Sequence, residues 1–170
     1  MQLIEISALV VFLFTIRKLS VVEASRLVIT CGKNAKCYVT NADNLGGYKL
    51  GTGGSDAIIQ TITPPSGGAV FGNVGTYPLE GGYLYITPVG SPTYVYSLGF
   101  DNSGRPAIKL IAQTVDIATG RVGVGTATIT TLNGQTGSAV LWIVDPDAGI
   151  RAYYAVLQNG KMIKISLPRS

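Results

Sequence analysis

The sequence predicts an all-β protein built from four-stranded antiparallel units, and three observations favour that class. Glycine accounts for 22 of the 170 residues, about twice its usual share of roughly 7%. Short apolar runs rich in Val, Ile, Thr and Tyr alternate with turn residues, as in strand-and-turn proteins. The pattern of runs also repeats along the chain. With 46% apolar and 13% charged residues, the chain can fill the core of one ordinary domain.

Residues 1–24 are expected to form a signal peptide. Their apolar core, SALVVFLFTI, is shorter than the about twenty residues that a membrane-spanning helix needs. The small residue Ala24 before Ser25 suits cleavage, and the mature protein is then secreted with no stable membrane span. Two features are atypical of signal peptides. Glu5 lies where basic residues usually precede the apolar core, and Arg17-Lys18 follow that core instead of preceding it. A membrane-associated or buried amphipathic segment and a misassigned start therefore stay open.

Residues 25–69 are predicted to form an N-terminal segment with a partial four-stranded unit. Cys31 and Cys37 enclose the loop GKNAK, and in a secreted chain this even count and short spacing favour one disulfide. Two buried or free thiols are the alternative. A zinc site is not expected, because two thiolates without histidine supply only half of the ligands that a zinc ion needs. The glycine-rich LGGYKLGTGGSD lacks the ending of a phosphate-binding loop, so we interpret it as turns.

Residues 70–120 and 121–170 are predicted to form two complete units. GYLYITPVGSPTYVYSL and AVLWIVDPDAGIRAYYA align at a constant offset of 57 residues, which places Tyr85 over Trp142 and Tyr96 over Tyr153. A glycine-rich strand precedes each segment, and a turn with Asn and Gly followed by a last strand comes after it. Four antiparallel strands at this period are typical of a β-propeller blade. We expect the aromatic side chains to pack between neighbouring blades.

The blade segments GGYLYITPVGSPTYVYSLGFDNSG, GRVGVGTATITT and LWIVDPDAGIRAYYAV resemble fungal extracellular proteins with a quinoprotein-alcohol-dehydrogenase-like (PQQ-like) β-propeller. The resemblance covers roughly residues 41–168. It implies more blades than this chain holds, so we expect a truncated form of a longer propeller or completion of the ring by self-association. Some members of that family oxidise alcohols or sugars with pyrroloquinoline quinone and calcium, held against vicinal cysteines. Because Cys31 and Cys37 are six positions apart, no cofactor is expected here, and quinone and calcium belong to a full-length relative.

The candidate residues for chemistry are few, because the chain contains no histidine. This excludes Ser-His and Cys-His nucleophiles and the most usual general base. Asp145 and Asp147 flank Pro146 and are weak candidates for a metal or a catalytic pair. DPDAG lacks the distal Glu of a calcium loop, and each of its residues favours a turn, so a hairpin corner is the stronger interpretation. Tyr83, Tyr94 and Tyr154 are candidate sugar-stacking residues, with core packing as the alternative.

The charge pattern bears on the choice of partner. The net charge is +4, but the thirteen basic residues are scattered, so we expect no binding to nucleic acid. We predict a secreted, non-catalytic propeller fragment that contacts protein or polysaccharide. The alternatives are an oxidoreductase, or a remnant of one, related to quinoprotein dehydrogenases, and an accessory protein of a biosynthetic pathway.

Overall fold

Three four-stranded antiparallel sheets follow one another along the chain. The computed structural model describes residues 12–17, 24–50 and 52–166, with the backbone alone for residues 12–17, 24–25 and 52. Each sheet is a meander in which strands adjacent in sequence are adjacent in space. The predicted all-β class and its four-stranded antiparallel units are confirmed.

The first sheet carries the disulfide. Its strands are β1 Phe12–Arg17, β2 Ala24–Cys31, β3 Cys37–Asn41 and β4 Ile58–Ile62. Buried and more exposed residues alternate along β2 and β3, as expected for strands with one buried face. Cys31 and Cys37 lie opposite each other at the end of the β2–β3 hairpin and are joined by a disulfide, with Cα atoms 3.9 Å apart. The predicted disulfide is confirmed.

The predicted signal peptide lies mostly outside the described residues. Of residues 1–24, the structure describes the backbone of 12–17 and 24. Residues 12–17 form β1, which pairs with β2 from Phe12 opposite Ile29 to Arg17 opposite Ala24. A short apolar run fits a strand as well as a signal-peptide core, so cleavage stays a prediction. Within the described part of the chain, no helix is long and apolar enough to cross a membrane.

The second and third sheets correspond to the two predicted units. The second sheet consists of β5 Gly75–Tyr77, β6 Tyr83–Ile86, β7 Pro92–Phe100 and β8 Pro106–Ile117. The third consists of β9 Thr128–Thr130, β10 Val140–Asp145, β11 Gly149–Tyr154 and β12 Lys164–Ile165. Tyr85 pairs with Val95, and Trp142 pairs with Ala152. The offset of 57 residues therefore relates residues that occupy the same place in their sheets.

The second sheet lies between the other two, and its inner strands β6 and β7 are buried on both faces. Toward the first sheet, Leu84, Ile86 and Tyr96 pack against Leu27 and Ile29 in one apolar cluster. Toward the third sheet, Tyr85 and Val95 join a second cluster. Its main members in the third sheet are Leu141, Ile143 and Tyr153. The stack is thus held by two separate cores, one on each side of the second sheet.

Polar contacts fix how the sheets sit against each other. The Gln60 side chain in β4 donates to the Ile108 carbonyl at 2.8 Å and accepts from the Ile108 N–H at 2.9 Å in β8. The Tyr85 hydroxyl donates to the carbonyl of Ala155 at 2.7 Å. Glycine lets β5 approach β9: a Cβ at Gly75 would lie 2.5 Å from the Ala127 carbonyl oxygen. The first strands of the second and third sheets thus lie against each other, and so do the last strands of the first and second sheets.

Candidate functional site: the open face of the third sheet

Asp145 is buried at the corner between β10 and β11, where the DPDAG hairpin was predicted. Its side chain is 1% exposed, and Oδ1 accepts the N–H groups of Asp147 and Ala148 at 2.9 and 3.1 Å. Oδ2 accepts the N–H of Thr119 at 3.0 Å and lies 3.3 Å from the Arg151 guanidinium. Burial raises the pKa of Asp145, but these four donors outweigh burial and hold the pKa below its ordinary value. Both carboxylate oxygens are therefore engaged in holding the corner.

Asp147 lies on the surface beside this corner and makes separate contacts. It accepts a hydrogen bond from the Thr119 hydroxyl and forms an ion pair with Arg121 at 3.0 Å. Both aspartates thus accept from Thr119, Asp145 from its N–H and Asp147 from its hydroxyl, and each pairs with its own arginine. Among the described residues, no group of three His, Cys, Asp or Glu side chains could hold a metal ion. The geometry supports the hairpin-corner interpretation of both aspartates.

The three candidate sugar-stacking tyrosines occupy different environments. Tyr94 is 4% exposed and belongs to the core between the first and second sheets. It is thus inaccessible to a sugar, and that candidate assignment was wrong. Tyr83 is partly buried and stacks on Tyr85 with ring centroids 6.3 Å apart. Only Tyr154, 41% exposed, presents its ring at the surface among these three.

Tyr154 belongs to an apolar surface on the third sheet, which we call the open face. Strand alternation divides the third sheet into two sides: Leu141, Ile143 and Tyr153 point to the second sheet, and their neighbours point away from it. Val144 and Ile150, which pair across β10 and β11, are 49% and 58% exposed. The side chains of the open face are Val140, Trp142, Val144, Ile150, Ala152, Tyr154, Ile163 and Ile165.

The open face is the counterpart of a buried face in the second sheet. At the offset of 57 residues, Trp142 corresponds to Tyr85, and Val144 and Ile150 correspond to Thr87 and Thr93. Tyr85, Thr87 and Thr93 are all buried in the second sheet. The third sheet has no described neighbour on this side. Trp142 donates its indole N–H to the Thr130 hydroxyl at 2.8 Å, which holds the ring along the sheet.

A charged cluster flanks the open face at the edge of the third sheet. Asp116 accepts hydrogen bonds from the Tyr153 hydroxyl and, at 2.9 Å, from Lys164. Burial raises the pKa of Asp116, but these two donors outweigh it and the pKa lies below its ordinary value. Arg151 donates to the carbonyl of Ile117 at 3.0 Å. Asp116, Arg151 and Lys164 line a cavity of about 520 Å³. Their charges are already paired, Asp116 with Lys164 and Arg151 with Asp145.

The sequence predicts Trp142 as an aromatic packing residue but does not reveal the open face. The alternation in LWIV and IRAYYAV predicts which residues share a side of the sheet. It does not predict which side stays uncovered, because that depends on the order in which whole sheets stack. The repeat itself is the signal that could have found this face, since the final unit of a stack lacks the neighbour that covers each earlier one.

Comparison with models of known protein families and with curated proteins finds no match to this chain. The resemblance to quinoprotein-like propellers therefore stays a prediction.

Proposed function

We propose that this chain is a non-catalytic protein-contact module, a secreted partial β-propeller whose open face packs against a partner protein. One observation carries the proposal: the side chains equivalent to Trp142, Val144 and Ile150 are buried one unit earlier in the stack, where Tyr85, the equivalent of Trp142, packs against the next sheet. An exposed surface of clustered large apolar side chains is typical of a protein interface. The Cys31–Cys37 disulfide supports an oxidising, extracellular location.

The contacts between sheets support the propeller interpretation. Blades of a propeller are four-stranded meanders that pack face to face around an axis. Here β5 lies against β9 through Gly75, and β4 lies against β8 through Gln60. Blades arranged around an axis place corresponding strands of neighbouring blades next to each other, and these two contacts fit that arrangement. An incomplete ring of such blades leaves one apolar face for a partner.

The chemistry of the open face favours protein over polysaccharide. A sugar-binding platform combines an aromatic ring with polar groups that bind hydroxyls. Around Trp142 and Tyr154 the open face is aliphatic, with Val144, Ile150 and Ile163 exposed. The indole N–H of Trp142 is already donated to Thr130. The oxidoreductase alternative rests on the resemblance alone, and no contact of the described residues favours it.

Photocrosslinking tests the contact role directly. Benzoylphenylalanine is introduced at Ile150 on the open face and, as the matched control, at Thr61 on the exposed outer side of the first sheet. The chain is produced in its own organism, irradiated and analysed by mass spectrometry. We expect protein adducts at position 150 that Val144→Lys in the same chain abolishes. Equal yields at both positions, or adducts that contain only carbohydrate, would overturn the proposal.

A further inference from the structure

We propose that Asn159 is a site of spontaneous deamidation, at which the side-chain amide is converted to the carboxylate of aspartate or isoaspartate. Among the asparagines of the chain, only Asn133 and Asn159 precede a glycine. Because glycine has no side chain, its backbone nitrogen approaches the preceding asparagine more easily than that of any other residue. The inference is independent of the open face, and it depends on a difference between the two Asn-Gly turns.

The reaction needs only the chain and water. The backbone nitrogen of Gly160 loses its proton and bonds to the side-chain carbonyl carbon of Asn159, and the amide group takes up a proton and leaves as ammonia. Water then opens the resulting five-membered succinimide at one of its two C–N bonds. One opening restores the ordinary backbone with aspartate, and the other leads the backbone through the side chain as isoaspartate. Either product carries one more negative charge than asparagine.

Both Asn-Gly pairs lie in exposed turns of the same type. Asn159 and Gly160 have φ angles of 52° and 75°, and Asn133 and Gly134 have φ angles of 50° and 75°. Positive φ at both central residues defines a type I′ turn. In each turn the N–H of the fourth residue donates to the carbonyl of the first, at 3.1 Å around Asn159 and 2.9 Å around Asn133. The turn type therefore does not distinguish the two sites.

The residue before each asparagine is also held by a hydrogen bond. The Gln158 N–H donates to the Lys161 carbonyl at 2.9 Å, and the Leu132 N–H donates to the Ser138 hydroxyl at 3.0 Å. Each turn must loosen before the glycine nitrogen can reach the side chain, and the flanking backbone resists this in a similar way at both sites.

The two turns differ at the atom that reacts. The Gly134 N–H donates to the Thr131 hydroxyl at 3.0 Å, so this bond has to break before the nitrogen loses its proton. The Gly160 N–H is exposed and donates to no acceptor in the part of the chain that the structure describes. The net contribution of one hydrogen bond corresponds to a difference in rate of about two- to tenfold. Asn159 should therefore react before Asn133.

Isoaspartate at this position should loosen the end of the third sheet. It adds one methylene group to the backbone of a two-residue turn, which the pairing of Gln158 with Lys161 closes. The turn leads into Met162, which is 4% exposed and belongs to the core between the second and third sheets. The next residue, Ile163, accepts the Tyr154 N–H at 3.0 Å. A distorted turn therefore acts on the segment that places β12 against β11.

The first experiment needs no substitution. The purified full chain is incubated at mildly alkaline pH, and mass spectrometry of peptides measures the rate of conversion at Asn159 and at Asn133. The same rates are measured in concentrated guanidinium chloride, where both turns are lost. We expect Asn159 to react about two- to tenfold faster than Asn133 in the folded chain and at an equal rate in the unfolded chain. Equal rates in the folded chain, faster conversion at Asn133, or the same ratio after unfolding would overturn the proposal.

Thr131→Ala tests the cause of the difference. The substitution removes the acceptor of the Gly134 N–H, so the rate at Asn133 should rise toward that at Asn159, whose own rate should not change. An unchanged rate at Asn133 would reject the role of this hydrogen bond. Freshly purified Asn159→Asp has the added charge without the inserted methylene group. Hydrogen exchange in β12 should therefore become faster in the aged native chain but not in this variant, and equal exchange in the two would reject the predicted loosening.

Discussion

Tyr85 and Tyr96 lie on opposite sides of the second sheet and are both buried, but their hydroxyls are in different situations. The Tyr85 hydroxyl donates to the carbonyl of Ala155 in the third sheet. The Tyr96 hydroxyl has no hydrogen-bond partner among the described residues. Burial raises the pKa of both phenols, that of Tyr96 to about 12. A buried hydroxyl stabilises a fold only when its hydrogen bond is made.

The same substitution at these two positions should therefore have different effects. Tyr85→Phe leaves the Ala155 carbonyl unpaired, and we expect it to lower the free energy of unfolding by about 1–2 kcal/mol. Tyr96→Phe removes an unsatisfied hydroxyl and should change stability by less than about 0.5 kcal/mol or increase it. Urea denaturation of both variants measures the difference. Equal losses would show that the Tyr96 hydroxyl has a partner in solution.

The local sequence specifies the turn at Asp145 but not all of the contacts that its side chain makes. Asp, Pro and Gly in DPDAG predict the corner, because an Asp side chain bonds the backbone two residues on. The Asp145–Thr119 and Asp145–Arg151 contacts could not be predicted, since they depend on where the link between the second and third sheets passes. The sequence therefore predicts the turn, but it does not predict that the Asp145 side chain is buried.

Acid should weaken the fold through Asp145. Its pKa in the folded protein lies below the value of about 3.9 expected when unfolded. The stabilisation is therefore complete above pH 4 and is lost as the pH falls through the folded pKa. We expect Asp145→Asn to be less stable than the native chain at pH 7 and to lose less stability between pH 4 and pH 2. Asp147→Asn, in the same corner but exposed, is the control and should keep the acid-induced loss. Parallel profiles for all three proteins would contradict this role.

The glycines of β5 and of the segment before β9 determine how closely the second and third sheets approach. VFGNVG and GRVGVGT each contain glycines that lie against a neighbouring backbone or side chain. A Cβ at Gly72 would lie 2.8 Å from the Val124 carbonyl oxygen, and one at Gly125 would lie 2.9 Å from the Val144 Cβ. Composition alone could not identify which backbone Gly72 meets, because Val124 lies about fifty residues further along the chain, whereas Gly125 meets Val144 within its own unit.

Gly75→Ala should push these two sheets apart. The added methyl group would overlap the Ala127 carbonyl and side chain, and overpacking of this kind costs about 1–3 kcal/mol. Gly120→Ala is the matched control, because an added Cβ there meets nothing within 4 Å. We expect it to change stability by less than about 0.5 kcal/mol. Thermal unfolding of the two variants provides the comparison, and a tolerated Gly75→Ala would mean that the sheets separate easily.

The strands of the second and third sheets could be predicted because their apolar runs alternate and are bounded by turn residues. β1 was not predicted, since an apolar run near the start of a chain suits a signal peptide as well as a strand. The repeat predicts the equivalence of Tyr85 and Trp142. Tyr85 is buried because the third sheet packs against its side of the second sheet, whereas no described sheet packs against the side that carries Trp142. The difference therefore does not come from the type of either residue.

Stability should vary across the stack, because each sheet contacts only its neighbours. Strands β6 and β7 of the second sheet are buried on both faces, whereas the first and third sheets each have one outer face. Elements with the most buried contacts open last. We therefore expect the slowest native-state hydrogen exchange in β6 and β7, measured by mass spectrometry of proteolytic fragments at low protein concentration.

Substitution on the open face should leave this order unchanged. Ile150→Lys alters a half-exposed side chain of the third sheet, so exchange in β6 and β7 should remain the slowest. Slower exchange in the third sheet than in the second at high dilution would contradict the layered account, because an isolated stack offers the third sheet a neighbour on one side only.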